Sequence, residues 1–308
     1  MGAVIDDRNV RGKLQAVLGA FERIDAFDKA AGQQTQADKT AFTATNLRDR
    51  KFLRTARVGG ERPVVKAFHI LVGEAITARL GTVRVAANAR VIAARRVATR
   101  ILGLPLSAAR AARACAATVL PRMTYGAAWG MPSRAATKAL RSKIVRCVFG
   151  KGSRLRCVEV VTGVMFDPAR LDPHYAAIFE TFMRARRVLR KRDARAARFK
   201  TSLVMIAKGK GPKARVPGTA RAVVEAVMEV SAEIDVEENE VLIRFPQGVT
   251  LPLMTEAATA FSEHLREAMR YTILESLRTR VEQELKPHLK RKDMVGISGM
   301  VDRRATVA

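Results

Sequence analysis

The sequence predicts an α+β protein that is mostly helical, and three observations carry that prediction. Long segments place apolar residues at three-and-four spacing, as a helix with one buried face requires. Short β-branched runs, Val64 to Ile70 and Val241 to Phe245, lie between turn residues and read as strands. Hydrophobic residues make up 48% of a 308-residue chain, which excludes wholesale disorder and allows more than one domain.

Taken in order, Gly2 to Ile5 is the stub of a strand that ends at Asp6-Asp7. From Lys13 to Ala31, the residues Leu14, Val17, Leu18, Phe21 and Ile24 define an amphipathic helix, with Gly32 as its C-terminal cap. Short strands are expected at Ala41 to Thr45 and, after Gly59-Gly60 and Pro63, at Val64 to Ile70. Three basic helices follow. The first runs from Val83 to Leu102 and stops at Gly103-Leu104-Pro105. The second, Ser107 to Leu120, starts on a serine cap and ends before Pro121. The third runs from Ser133 to Phe149 and is closed by Gly150.

Asp167-Pro168 and Asp172-Pro173 mark a boundary, and each is a turn or helix-start signal. Beyond it, His174 to Phe199 reads as one helix crowded with arginine, and Lys208 to Lys213 as a flexible basic linker. Glu225 to Glu240 form an acidic block without Lys or Arg. Val241 to Phe245 and Val249 to Leu253 pair across Pro246-Gln247-Gly248, and a charged helix from Thr255 to Leu285 ends before Pro287.

Charge narrows the function classes. The 56 Lys+Arg against 29 Asp+Glu give a net charge of +27 and a pI near 11.2. Such a surplus calls for a polyanionic partner: RNA or DNA first, an anionic membrane surface second. Arg outnumbers Lys, which suits bidentate phosphate contacts. The nucleic-acid-binding candidates are Arg84, Arg90, Arg95 and Arg96 on the first basic helix, then Arg186, Arg187, Arg190, Lys191 and Arg192 on the later one. For the stripe from Arg84 to Arg100 the plainer reading is a solvated helix face, whereas the helix from Arg184 to Arg198 carries more like charge than a solvated face accounts for and calls for counterions or phosphates. Cys115, Cys147 and Cys157 are too few and scattered for a disulfide framework or a zinc site, and the four histidines have no ligand spacing. No apolar run is long enough to span a bilayer and no secretory signal is present, so the expectation is a soluble intracellular protein of nucleus or cytoplasm.

The first forty residues hold one ordered set of motifs. Asp6-Asp7 after a β-branched run is followed by a helix, Ala31-Gly32, Lys39-Thr40 and another strand. This order resembles the second half of a reverse-transcriptase palm, of the kind encoded by non-LTR retroelements. Phe68-His69-Ile70-Leu71-Val72-Gly73 resembles the strand-to-glycine segment that ends that palm, and the three helices around Tyr125-Gly126 resemble its thumb. Val4 stands where the family has an aromatic residue, the Arg8 to Gly12 connection is short, and Leu71-Val72-Gly73 carries one residue beyond the common Leu-Gly. The resemblance runs from about Val4 to Gly150, about half the chain.

By that resemblance, Asp6 and Asp7 hold Mg²⁺, Lys39 meets the triphosphate, and the ancestral activity is RNA-directed DNA polymerisation, a nucleotidyl transfer. The matching earlier aspartate and the fingers would precede Met1, so the chain is expected to bind nucleic acid and not to polymerise alone. An upstream polypeptide that completes the palm is the further partner the resemblance implies. It divides the chain into a partial palm at 1–78, a thumb-like region at 79–152, a basic helix with its linker at 153–218, and an α+β extension at 219–308. The alternative is a non-catalytic basic RNA- or DNA-binding protein without polymerase ancestry.

Overall fold

Two units divide the chain, Met1–Ala78 and Arg79–Ala308. The computed structural model describes residues 12–33, 40–44, 46–55, 57, 62, 64–65, 69–71, 74–76, 80–150, 158–208, 218–237 and 240–284. The strand stub Gly2 to Ile5, the segment after Lys208 and the tail past Glu284 lie outside these residues. Across the described chain the fold is mostly helical with small sheets, an α+β protein.

In the first unit, α1 (Leu14–Ala30) lays Leu14, Val17, Leu18 and Phe21 against Phe42 and Leu53. Phe21 and Phe42 meet edge to face, with centroids 5.3 Å apart. Gly32, at φ 71°, closes α1 because a side chain at that backbone angle would be strained. Strand β1 (Ala41–Phe42), helix α2 (Leu47–Thr55) and strand β2 (Val64–Val65) form a crossover unit whose two strands pair in parallel. Asn46 caps α2 by accepting from the Asp49 N–H at 2.9 Å. Of the strand expected from Val64 to Ile70, the described residues belong to two different sheets. Its second part, β3 (His69–Leu71), pairs antiparallel with β4 (Glu74–Ile76) instead of continuing β2.

The second unit is built on one continuous core that draws from its helices and from its sheet. The sequence divides this stretch into three regions, but Val91, Leu140, Phe182, Val223, Ile243 and Phe261 all belong to the same cluster. Asp167 and Asp172 therefore mark helix starts within that core and not a domain boundary. Asp167 caps α8 (Pro168–Leu171) and Asp172 caps α9 (Pro173–Leu189).

Helices α3 (Leu80–Leu102) and α6 (Arg134–Phe149) run side by side in the same direction. The Ser133 N–H donates to Asn88 Oδ1 at 3.0 Å near one end, and Cys147 Sγ donates to the Ala98 carbonyl at 3.1 Å near the other. Between them in the chain come α4 (Ala108–Ala114), a π-helical turn (Cys115–Val119) and α5 (Leu120–Thr124). The helix expected to stop before Pro121 passes through it instead. The wider π turn opens the hydrogen-bond ladder just ahead of a ring that has no N–H to give. A short helix α7 (Val158–Val160) and a second π turn (Val161–Met165) lead into α8.

Gly130 shows how closely this corner packs, because a Cβ there would lie 1.9 Å from Val83 Cγ1. Val83 is buried and β-branched, so it cannot swing aside. Gly130→Ala is expected to cost about 1–3 kcal/mol, read as a lower urea midpoint. Val83→Ala in the same chain should return part of that loss; no recovery would place the damage elsewhere.

The helix expected from His174 to Phe199 is two helices, α9 and α10 (Ala194–Ala207). Arg192 adopts φ 50°, and Asp193 then accepts the N–H groups of Arg195 and Ala196, both at 2.9 Å, to start the second helix. The acidic block also has more structure than its charge suggests. It covers the end of α11 (Thr219–Glu229) and all of β5 (Glu233–Val236), a strand that the run of carboxylates hid. Strands β5, β6 (Val241–Arg244) and β7 (Thr250–Pro252) form an antiparallel sheet, with Gly248 at φ 81° in the β6–β7 turn. Helix α12 (Ala258–Glu284) closes the unit through Phe261, Leu265, Ala268 and Met269.

Candidate nucleic-acid interface

Among the described residues, 80–150 contain no Asp or Glu, so the cations of α3 to α6 depend on carboxylates from later in the chain. Helix α11 supplies two of them from one face. Arg84 Nη2 reaches Glu225 Oε1 at 3.1 Å, and Arg221 Nε reaches the same oxygen at 3.1 Å. One turn on, Glu229 Oε2 takes Arg134, with His174 Nε2 3.2 Å away. The His174 imidazole first, and the Arg134 guanidinium with it, outweigh burial and hold the Glu229 carboxyl below the usual range. A third carboxylate, Asp172, takes Arg141.

Arg84 and Arg134 lie at the N-terminal ends of the parallel pair α3 and α6, so α11 balances part of the charge at that end. Toward the C-terminal ends the balance changes. Arg95, Arg96 and Arg100 lie around Ala98 on α3, and Lys143 and Arg146 come just before Cys147 on α6. Arg95, Arg96, Arg100 and Arg146 are exposed, Lys143 is half-buried, and none of the five has a carboxylate partner among the described residues. Five cations thus gather at one level of two adjacent helices. Such crowding calls for counterions or phosphates, and replacing condensed counterions on a nucleic acid makes binding strongly dependent on salt.

The other sequence candidates fall into three groups. Arg90 is half-buried, while Arg187, Arg190, Lys191 and Arg192 are exposed, with Arg187 3.9 Å from Glu180. Arg186 is corrected: it is 2% exposed and cannot meet a polyanion. Its guanidinium donates to the Leu253 carbonyl at 3.2 Å and to the Glu256 carbonyl, and it lies over the Phe261 ring at 4.9 Å. It is a structural cation. Helical spacing sets it apart from Arg187, because it follows Phe182 by four residues and precedes Leu189 by three, on the buried face of α9. Asp6, Asp7 and Lys39 lie outside the described residues, and the Mg²⁺ site implied by the resemblance lies there with them. Among the described residues no three His, Cys, Asp or Glu side chains come together to hold a metal ion.

Compared with protein-family models, curated proteins and solved structures, the chain matches none. Its chemistry therefore has to be read from its own surface. Among the described residues no helix is long and apolar enough to cross a membrane. The sequence candidates did not include Lys143 or Arg146. The signal that finds them is the absence of Asp and Glu between Glu74 and Glu159, which shows as a missing residue type and not as a motif.

Proposed function

We propose that this chain binds nucleic acid through the C-terminal halves of α3 and α6, as a fragment of reverse-transcriptase type that does not polymerise alone. The observation that carries the binding is the division of charge along the helix pair. The acids of α11 meet Arg84 and Arg134 at one end, where Lys138 is left over, and at the other Arg95, Arg96, Arg100, Lys143 and Arg146 have no carboxylate partner among the described residues. Arginine suits this role because its planar guanidinium stays charged and grips phosphate through two donors.

The reverse-transcriptase part rests on the motif order from Asp6-Asp7 through Gly32, Lys39 and Thr40. On this reading the first unit is the end of a palm, α3 to α6 are thumb-like, and the rest of the second unit is an extension packed against them.

Charge reversal at Arg95, Arg96, Arg100 and Arg146 tests the binding. Affinity for a labelled 20-mer should fall about a hundredfold at ~0.1 M salt, and the log–log salt slope should flatten by about 3–4. The melting temperature should hold, because these side chains are exposed. Unchanged affinity would sink the proposal. Primer extension with Mg²⁺ and dNTPs tests the other half, and synthesis that Asp6→Ala abolishes would show a competent polymerase.

A further inference from the structure

We infer that the corner between α9 and α10 is a second phosphate-binding surface, built to take the two backbones of a nucleic-acid duplex. The inference rests on the nucleic-acid reading above, but it concerns a different part of the second unit. Residues 190–193 join the two helices, and the exposed cations on both sides are dense. Arg184 and Arg187 follow one another along the end of α9, Arg195 and Arg198 stand on the first turns of α10, and Arg190, Lys191 and Arg192 lie at the vertex. At about 1.5 Å rise per residue, all seven lie within roughly 10 Å of the turn.

Nearby carboxylates do little to balance them. Asp193 is used in capping α10, and Glu180 is 3.9 Å from Arg187. Part of this charge suits the C-terminus of α9, where the helix dipole favours cations. That explains one or two of them and leaves the rest, particularly those on the first turns of α10, where the dipole disfavours positive charge.

The second, independent observation is the backbone of Arg192. Two described residues other than glycine have positive φ, Ser231 at 54° and Arg192 at 50°. Ser231 is small. Arg192 is long and branched at its tip, and it stands where a helix end ordinarily takes glycine or asparagine. Its N–H bonds the Leu189 carbonyl at 3.2 Å, an end that glycine would make with less strain. Its side chain is exposed and has no ion-pair partner among the described residues, so the fold gains nothing visible from an arginine here. A residue that breaks a local rule without a structural return marks a functional position. The two helices also give two rows of cations, and a duplex offers two rows of phosphates where a single strand offers one.

Arg192→Gly separates fold from function, because it relieves the backbone and removes the charge together. The full-length variant should melt about 2–4 °C higher than the parent, a shift typical of small stability gains in a unit of this size. Its affinity for a labelled 20-base-pair duplex should fall about threefold to fivefold, and its salt slope should drop by about 0.9, one phosphate contact. Affinity for the single strand of the same sequence should change less, and DNA and RNA duplexes run in parallel identify which is taken. Arg195→Gln with Arg198→Gln should lower duplex affinity further.

A lower melting temperature, or unchanged duplex affinity and slope, overturns the assignment. Equal loss on single strands overturns the duplex part. Loss confined to vesicles containing phosphatidylserine assigns the corner to a membrane and overturns it too. If the charge-reversed α3–α6 variant loses affinity while Arg192→Gly does not, only the corner assignment fails. If no nucleic acid binds the parent, the reading beneath both fails.

Discussion

Asp172→Ala is expected to remove about 4–6 kcal/mol of folding stability, well beyond the cost of Gly130→Ala. Its carboxylate is 1% exposed and has two tasks. Oδ1 accepts from the His174 N–H at 2.9 Å and the Tyr175 N–H at 3.4 Å, which starts α9. The Arg141 guanidinium grips both oxygens, with Nη2 2.9 Å from Oδ1 and Nε 2.7 Å from Oδ2, which ties α6 to α9. Removing one member of a buried pair leaves the other charge without compensation, at a cost of about 3–5 kcal/mol. The lost cap adds about 1 kcal/mol. In a unit of this size the melting temperature should fall by roughly 10 °C or more. Asp172→Asn keeps a capping oxygen and loses only the charge, so it should fall between variant and parent. Asp172→Ala melting within a degree or two of the parent would show that the pair holds nothing together.

Arg186→Ala comes next, at about 2–4 kcal/mol. The stretch from Leu253 to Glu256, between β7 and α12, keeps one backbone bond to the sheet, from the Leu253 N–H to the Val241 carbonyl at 2.9 Å, and is otherwise held by side chains from two directions. Arg186 donates to the carbonyls of Leu253 and Glu256. Glu240 Oε1 accepts from the Met254 N–H at 2.7 Å, and its Oε2 accepts from the Thr255 N–H at 3.0 Å and the Thr255 hydroxyl at 2.7 Å. Burial pushes the Glu240 carboxyl up, but these bonds with that from Val241 outweigh it and hold the group below the ordinary range. Truncating Arg186 leaves two carbonyls short of a donor and removes a stem and guanidinium packed on Phe261. Chemical denaturation read through that sheet and α12 should show the loss. If Arg186→Ala matches Arg187→Ala in stability, the buried assignment is wrong.

The two arginines show what was legible in the sequence and what was not. Helices α1, α3 and α6 follow from apolar spacing, and their ends from Gly32, Ser133 and Gly150, because these are local effects. The β6–β7 hairpin follows from its turn for the same reason. Helical spacing puts Arg186 on the buried face of α9, but what makes a buried guanidinium tolerable there, Leu253, Glu256 and Phe261, lies more than sixty residues away, as the 67-residue separation of the first contact records. Strand β5 was hidden because exposed carboxylates on the outer face of a sheet read as an acidic run. The break at Arg192 was hidden because arginine is a good helix former and the capping signal, Asp193, follows it. Within the site, Arg95 and Arg96 were legible as a cationic run, whereas their lack of neutralising acid follows only from where α11 packs.

The acid-free stretch has a consequence for the making of the protein. A chain is synthesised from its N-terminus, and α3 to α6 emerge as a run of cations well before any carboxylate that will pair with them. Arg141 awaits a residue 31 positions later, Arg134 one 95 positions later, and Arg84 one 141 positions later. Contacts of such separation form late and slow the approach to the native state. During that interval the growing chain is a polycation beside the ribosome's own RNA. The carboxylates of α11 emerge only after α3 to α10 have been made, so they free the N-terminal ends of α3 and α6 from that attraction late and leave the other ends charged.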